Sequence, residues 1–442
     1  MKFASRLHPH QVVSFREALF TGLAADGGLY HPVGAPDLAP LLPALRSLRS
    51  FGQVAEEACA VLLEPDFPPE RARSLARRAF PFSPVLRRLD ERILLLELFH
   101  GPSCAFKDFG AQFLAAAMEA FLEVEARKIQ ILVATSGDTG SAVAQAFHGR
   151  TGIDVVILYP SGRVSGLQEK QLTTLGGNVH ALEVRGSFDD CQRLVKEAFQ
   201  DPTLRARLEL TSANSINVGR LIPQCLYYLH AATRQRKVGS EPPSICVPSG
   251  NFGNLTAGVY AWKWGLPVRR FIAATNVNDV VPLYLRNGSF DPRPSVQTLS
   301  NAMDVGNPSN FERLTEIFQG SREAMASQIE GRSITDERTL ATMRDIHSRH
   351  GGVLVDPHTA VGYAAARDYL RDRAERGESR REQVIVLSTA HPAKFSEIVA
   401  RATGVTPVMP ERLAQCLALP KKSRLIGTTL KELSQFLLDS FG

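Results

Sequence analysis

Lys107 lies in the run Gly101-Pro102-Ser103-Cys104-Ala105-Phe106-Lys107-Asp108-Phe109-Gly110, between two phenylalanines, where a strand-like stretch gives way to a helix-like one. An ammonium there meets the positive end of the helix macrodipole and is desolvated by apolar neighbours, and both effects favour the neutral amine. A neutral lysine amine can form a Schiff base. Most lysines are solvated surface charges, so the position matters only because of what else the chain carries. The run Pro248-Ser249-Gly250-Asn251-Phe252-Gly253-Asn254 follows the apolar stretch 244–247 and precedes the helix-like stretch 255–262. Gly250 and Gly253 let the backbone turn tightly and approach an anion, with the N–H groups of the following helix aimed at it. The same pattern also serves as a ligand-free strand-to-helix turn.

A second loop, Thr135-Ser136-Gly137-Asp138-Thr139-Gly140-Ser141, joins the strand-like 129–134 to the helix-like 142–147. Its hydroxyls and glycines make another anion site, although Ser, Thr and Asp are also ordinary N-caps. Two oxyanion loops and an activated lysine fit a phosphorylated aldehyde cofactor with an anionic substrate, and pyridoxal phosphate answers that description. No Walker-type or dinucleotide-type glycine pattern opens a helix, no Gly-x-Ser-x-Gly elbow is present, and the eleven histidines form no zinc motif, so no metal is expected.

The runs Phe99-His100-Gly101-Pro102, Ala105-Phe106-Lys107-Asp108-Phe109-Gly110, Ala134-Thr135-Ser136-Gly137-Asp138-Thr139-Gly140, Ser212-Ala213-Asn214-Ser215-Ile216-Asn217, Pro248-Ser249-Gly250-Asn251-Phe252-Gly253 and Thr389-Ala390-His391-Pro392-Ala393-Lys394-Phe395 resemble, in order, those of the bacterial and fungal threonine synthases. The resemblance implies an α/β architecture of fold type II, like the tryptophan synthase β subunit: two parallel-sheet α/β lobes plus an N-terminal lobe. It implies that Lys107 carries pyridoxal 5'-phosphate and moves protons, that Ser249, Gly250, Asn251, Phe252, Gly253 and Asn254 surround the cofactor phosphate, and that the Thr389 hydroxyl meets the pyridine nitrogen. For the anionic groups of the substrate, O-phospho-L-homoserine, it points to Thr135, Ser136, Gly137, Asp138 and Thr139 on one side and to Ser212, Asn214, Asn217 and Arg220 on the other. The implied reaction adds water after loss of the γ-phosphate and releases L-threonine, the last step of threonine biosynthesis. Two other readings are a phospho-lyase that releases 2-oxobutyrate and a catalytically inactive binding relative. Asp138 stands where distant fold type II enzymes usually carry asparagine, whose amide donates to the cofactor's phenolate oxygen as a carboxylate cannot, which leaves helix capping as its other role. Ser103 and Cys104 replace the Thr-Leu expected of close relatives, and Asn254 stands where aspartate is frequent. As Thr389 precedes Pro392, it also reads as a helix N-cap.

The elements that must position these residues follow from pattern. The stretches 129–134, 155–158, 179–184, 245–247, 271–274, 353–355 and 384–387 read as buried parallel strands, which alternate with helices. Ser187-Phe188-Asp189-Asp190 reads as a capping box that opens a helix to Phe199. In such α/β layers ligands sit at strand carboxyl ends, where both glycine loops and Thr389 fall. The expected divisions are a helix-rich N-terminal lobe over 1–92; a large cofactor-binding lobe over 93–120 and 230–442; and a small α/β lobe over 121–229.

With 442 residues the chain is too long for one compact core, and its 44% hydrophobic and 22% charged content is that of an ordinary globular protein. A net charge of +6 suits an anionic small molecule but falls short of a nucleic-acid footprint. The basic stretch 367–381 is interleaved with acids and reads as a solvated helix face. Six cysteines without a Cys-x-x-Cys pair, no signal-peptide stretch and no membrane-length apolar run make a reduced, cytoplasmic setting the expectation, with no membrane partner. Monomer and homodimer both remain open.

Overall fold

Strands buried on both faces of a sheet must be apolar throughout, and the chain builds two sheets from such runs. A computed structural model describes every residue except 35, 126, 136, 236–240 and 379–380. The strands are β1 (Lys2–Ser5), β2 (Val13–Ser14), β3 (Tyr30–Val33), β4 (Val85–Arg88), β5 (Ile93–Glu97), β6 (Ile129–Ala134), β7 (Ile153–Pro160), β8 (Val179–Val184), β9 (Leu210–Ser212), β10 (Ser244–Pro248), β11 (Phe271–Thr275), β12 (Ile329–Ser333), β13 (Val384–Ser388) and β14 (Ser423–Ile426). The larger sheet runs β12-β11-β10-β13-β5-β4, parallel except for β4 at its edge. The smaller runs β14-β8-β7-β6-β9 and is parallel throughout. In the larger sheet Ile385 lies opposite Leu94 and Leu387 opposite Leu96, a register that sets Thr389 beside the chain leaving β5 toward Lys107.

Several expectations need correction. Residues 353–355 form no strand: Val355 is buried, but the three residues run directly into Asp356, which caps the helix Pro357–Glu375. The edge position belongs instead to β12, whose Glu330, Gly331 and Arg332 hide it from a hydrophobicity reading. Segment 423–426, assigned with the whole C-terminal half to the larger lobe, pairs as β14 with β8 of the smaller sheet. The N-terminal stretch carries helices, as expected, and in addition β1, β2 and β3, which form an antiparallel sheet ordered β2-β1-β3. Its core is not separate: Phe51 packs edge-on to Phe80 and to Phe109 of the Lys107 helix, with ring centroids 5.4 Å apart in each pair. The stretch 367–381 is not all surface, because Arg373 is buried against Glu382 at 2.6 Å. The capping box at Ser187 and Asp190 is present, opening Phe188–Gln200. All six cysteines are buried and free.

Candidate active site

Five segments reach one centre from the carboxyl ends of strands: the turn after β5 that leads to Lys107, the loop after β6, the segment after β9, the glycine loop after β10 and the segment after β13. Lys107 opens the helix Lys107–Glu125. Its turn is stitched to the Thr389 segment by Phe106 N–H donating to Thr389 O (2.8 Å) and His391 N–H donating to Cys104 O (3.0 Å). Cys104 takes a left-handed conformation (φ 58°) inside this turn, and Phe252 takes another (φ 60°) inside the glycine loop. Non-glycine residues rarely adopt that region, and both examples here shape a loop of the site.

The Lys107 amine lies 5.8 Å from the Phe106 ring and has no hydrogen-bond partner among the described residues. Burial pushes its pKa down from 10.5 to about 8, helped by Lys394 and Arg220 and opposed by Asp138. Phe109 does not share in this. It points away into an aromatic cluster with Phe51, Phe80, Phe82 and Tyr227.

The loop after β10 has the chemistry of an oxyanion cradle. Among the described residues no protein acceptor takes the N–H groups of Gly250, Asn251, Phe252, Gly253 or Asn254, which precede or open the helix Gly253–Lys263. Five consecutive free donors at a helix N-terminus are what a phosphate requires. A Cβ on Gly250 would stand 2.6 Å from Met303 Cα, so glycine is obligatory there. The Asn310 amide nitrogen, buried and unpartnered, lies 3.4 Å from where a Cβ on Gly253 would be. The side chains serve the loop rather than the ligand. Ser249 donates to Asn254 Oδ1 (2.5 Å), the Asn254 amide donates to Pro248 O (2.9 Å), and Asn251 links Ser215 to Ser309. The donation to Pro248 O is one an aspartate at 254 could not make.

Thr389 is buried, its carbonyl is occupied by Phe106, and its hydroxyl has no partner among the described residues. It caps nothing: His391 caps the turn Pro392–Phe395 by accepting from Ala393 N–H. The hydroxyl is therefore free to face a ligand.

The second loop divides between structure and site. Thr135 Oγ1 accepts from Gly137 N–H (3.0 Å) and Gly140 N–H (2.9 Å), so its hydroxyl holds the loop's own turn. Asp138 does not cap its helix; Oδ1 accepts from Gln168 Nε2 (3.0 Å) and pairs with Lys394 Nζ (2.7 Å). Burial alone would raise the Asp138 pKa, but Lys394 and Lys107 hold it well below the usual carboxylate range. The Thr139 hydroxyl is half-buried with no partner among the described residues, and Ser136 lies outside them.

On the opposite side Asn217 is fully spent on backbone. Its amide donates to Leu19 O (2.8 Å) and Ser212 O (2.9 Å), and its oxygen accepts from Gly219 N–H (2.9 Å). Ser212 Oγ accepts from Asn214 N–H (3.2 Å). Asn214 Oδ1 and Arg220 Nε, in contrast, are buried without a partner. Arg220 is held by Nη1 donating to Ala213 O at 2.5 Å, and its pKa falls to about 10 through burial, partly offset by Asp108. A desolvated guanidinium with an unused N–H is a ready phosphate ligand.

Lys394, Gln168 and Gln171, whose Nε2 donates to Ser103 O (3.2 Å), belong to this centre although no motif in the sequence marks them. Lys394 stands between Ala393 and Phe395, and these apolar neighbours are the signal in the sequence that its ammonium is buried. The two glutamines occupy the helix Gly166–Thr173, where nothing in the pattern marks them.

Free oxyanion donors, an unpartnered hydroxyl and a desolvated lysine at strand carboxyl ends fit a phosphorylated pyridoxal cofactor, and the family comparisons agree. Residues 78–389 match the family model described as pyridoxal-phosphate dependent enzyme, so the chain is a pyridoxal-phosphate dependent enzyme of fold type II. Maize serine racemase shares the fold at a TM-score of 0.54 and 18% identity. Residues 2–80 match the threonine synthase N-terminus model and residues 359–437 the threonine synthase C-terminal model. Threonine synthase of Haemophilus influenzae is 42% identical over 435 residues, 98% of each chain, and that of Escherichia coli K12 is 40% identical over 441 residues, covering 99% of this chain and all of the relative. The crystal structure of threonine synthase from Escherichia coli superposes over all of both chains with a TM-score of 0.90 at 40% identity. The structure of PLP-bound threonine synthase from Brucella melitensis also scores 0.90, at 36% identity over 100% of this chain and 99% of that one. The chain belongs to the threonine synthase family. Among the described residues no group of metal-ligating side chains and no membrane-length apolar helix occurs.

Proposed function

We propose that the chain converts O-phospho-L-homoserine and water to L-threonine and phosphate, with Lys107 as proton carrier. The observation that carries this is a pair of separate, unpartnered anion sites, the 250–254 N–H groups and the Arg220 Nε, in the centre that holds an unpaired lysine amine. One site suits the cofactor phosphate and the other the phosphate of the substrate. When bound, the cofactor supplies an electron sink for negative charge at the substrate carbons. Ser249 and Asn254 keep the cradle in shape, Thr389 presents a neutral hydroxyl to the pyridine nitrogen, and Lys107 takes the Cα and Cβ protons in turn. The Arg220 guanidinium meets the charge of the departing γ-phosphate. Among the described residues of the second loop, Thr139 keeps a free hydroxyl to orient the substrate carboxylate, since Thr135 and the Gly137 N–H are spent on the loop's own turn.

The test is product analysis with the purified chain. Threonine and phosphate should appear in equal amounts, and Lys107→Ala should lower turnover by about 10³-fold or more and abolish the visible absorbance of the bound cofactor. Release of 2-oxobutyrate without threonine would replace this reading with that of a phospho-lyase.

A further inference from the structure

A second lysine is buried in the centre. Lys394 stands in the turn beyond β13, with 0% of its side chain exposed, its Nζ 2.7 Å from Asp138 Oδ1 and donating to Ser103 O at 3.0 Å. Burial of an ammonium is costly, and a buried ion pair adds little stability over well-packed apolar groups. Its place is more informative. It joins the turn after the larger sheet to the helix Asp138–Phe147 of the smaller one, four residues from Lys107 through Ser103. Gln168 and Lys394 both engage Asp138 Oδ1, while Oδ2 has no partner among the described residues. The charged groups that act on this centre include Asp138 from its helix, Lys107 and Asp108 from the Lys107 helix, Arg220 from the helix Val218–Leu221, Lys394 from its turn and Arg412, which donates to Gly101 O, with the Cys104 thiol and the His391 imidazole as further titratable groups. Among those acting on the Lys107 amine, Asp138 is the anion, and a carboxylate free to swing would close an ion pair with it.

We propose that Lys394 is a positioning residue for the proton transfers of Lys107: by holding Asp138 Oδ1 it keeps that carboxylate from pairing with the Lys107 ammonium and leaves the amine free to accept protons. The proposal rests on the reading of Lys107 as the proton carrier, and its test reads a pH midpoint rather than the presence of turnover, so the two can fail separately. Pyridoxal phosphate uptake by the cofactor-free full chain is followed by absorbance from pH 6 to 10, and the acid limb of kcat, which reports the substrate complex in which Lys107 is a free amine, is followed in the holoenzyme. Lys394→Met releases Asp138 toward Lys107, and both midpoints should rise by about one unit, a roughly tenfold slower uptake at pH 7. Asp138→Asn removes the anion, and the midpoints should fall. The double variant K394M/D138N buries no lone charge, folds irrespective of the single variants and should titrate between them. Unmoved midpoints in Asp138→Asn and the double variant, or single variants that shift in the same direction, would overturn the proposal, because a structural ion pair alters stability without moving the titration of Lys107.

Discussion

The chemistry at Lys107 depends on one number, the free energy of its proton. At a pKa of about 8 roughly one amine in ten is neutral at pH 7, against about one in three thousand for an ordinary lysine. Uptake of pyridoxal phosphate by the cofactor-free chain is therefore expected to rise about tenfold from pH 6 to pH 7 and to level off above about pH 9. A rate still climbing at pH 10 would mean that the amine is not desolvated. The sign for stability follows: between about pH 8 and 10.5 the unfolded lysine holds its proton and the folded one does not, so the cofactor-free chain gains stability as pH rises through that window. Two residues that the sequence placed side by side, Asn217 and Arg220, are set apart by their hydrogen bonds. With every amide group used, Asn217→Ala should cost about 1–2 kcal/mol in urea denaturation and change KM less than about twofold. With Nε unused, Arg220→Ala should raise KM for O-phospho-L-homoserine by about 10- to 100-fold, the value of one or two charge-assisted hydrogen bonds. Equal effects of the two substitutions on KM would remove the distinction.

At the scale of elements, the strand-loop-helix units were legible because period and punctuation coincide. β6 and β8 have the bounds that the apolar runs predict, and both glycine loops follow a strand and open a helix. What the pattern could not carry is partnership. Thr135 and Thr139 read alike in a row of hydroxyls, and only the folded loop reveals that Thr135 is spent on Gly137 and Gly140. β12 was invisible because edge strands tolerate polar residues, and β14 because a short strand far along the chain carries no sign of which sheet it will join. The glycine loop is the element whose shape matters most. A methyl at Gly250 would stand 2.6 Å from Met303 Cα and 3.1 Å from Ala302 O, both backbone atoms that cannot rotate away. Gly250→Ala should therefore displace the cradle, weaken pyridoxal phosphate binding by about tenfold or more and leave helix content intact by circular dichroism. Unchanged cofactor affinity would mean that these N–H groups do not hold the phosphate.

Over the whole molecule the segments before Lys107 are built into the site rather than appended to it. Phe51 and Phe80 share an aromatic cluster with Phe109, so the Lys107 helix is packed from the N-terminal side while its first residue lies at the candidate site. Arg313 extends the same connection in polar form. Fully buried, it donates to Tyr30 O (3.0 Å) at the end of the N-terminal sheet, to Asn310 Oδ1 (2.6 Å) and to Ile216 O (2.5 Å) within the segment after β9. That segment carries Ser215, which accepts from Asn251 of the 249–254 loop at 2.7 Å. One guanidinium thus fixes three distant stretches of chain, and its burial lowers its pKa to about 10 without removing its charge at neutral pH. Arg313→Met keeps the length and packing of the stem but leaves three buried acceptors unmet, a loss of about 3 kcal/mol or more. It should lower the urea midpoint of the holoenzyme and also weaken both pyridoxal phosphate and O-phospho-L-homoserine binding, because the 212–217 segment and the 249–254 loop lose their common anchor. A fall in stability with both affinities unchanged would show that Arg313 only cements the core, and that the N-terminal sheet and the site are joined through the aromatic cluster alone.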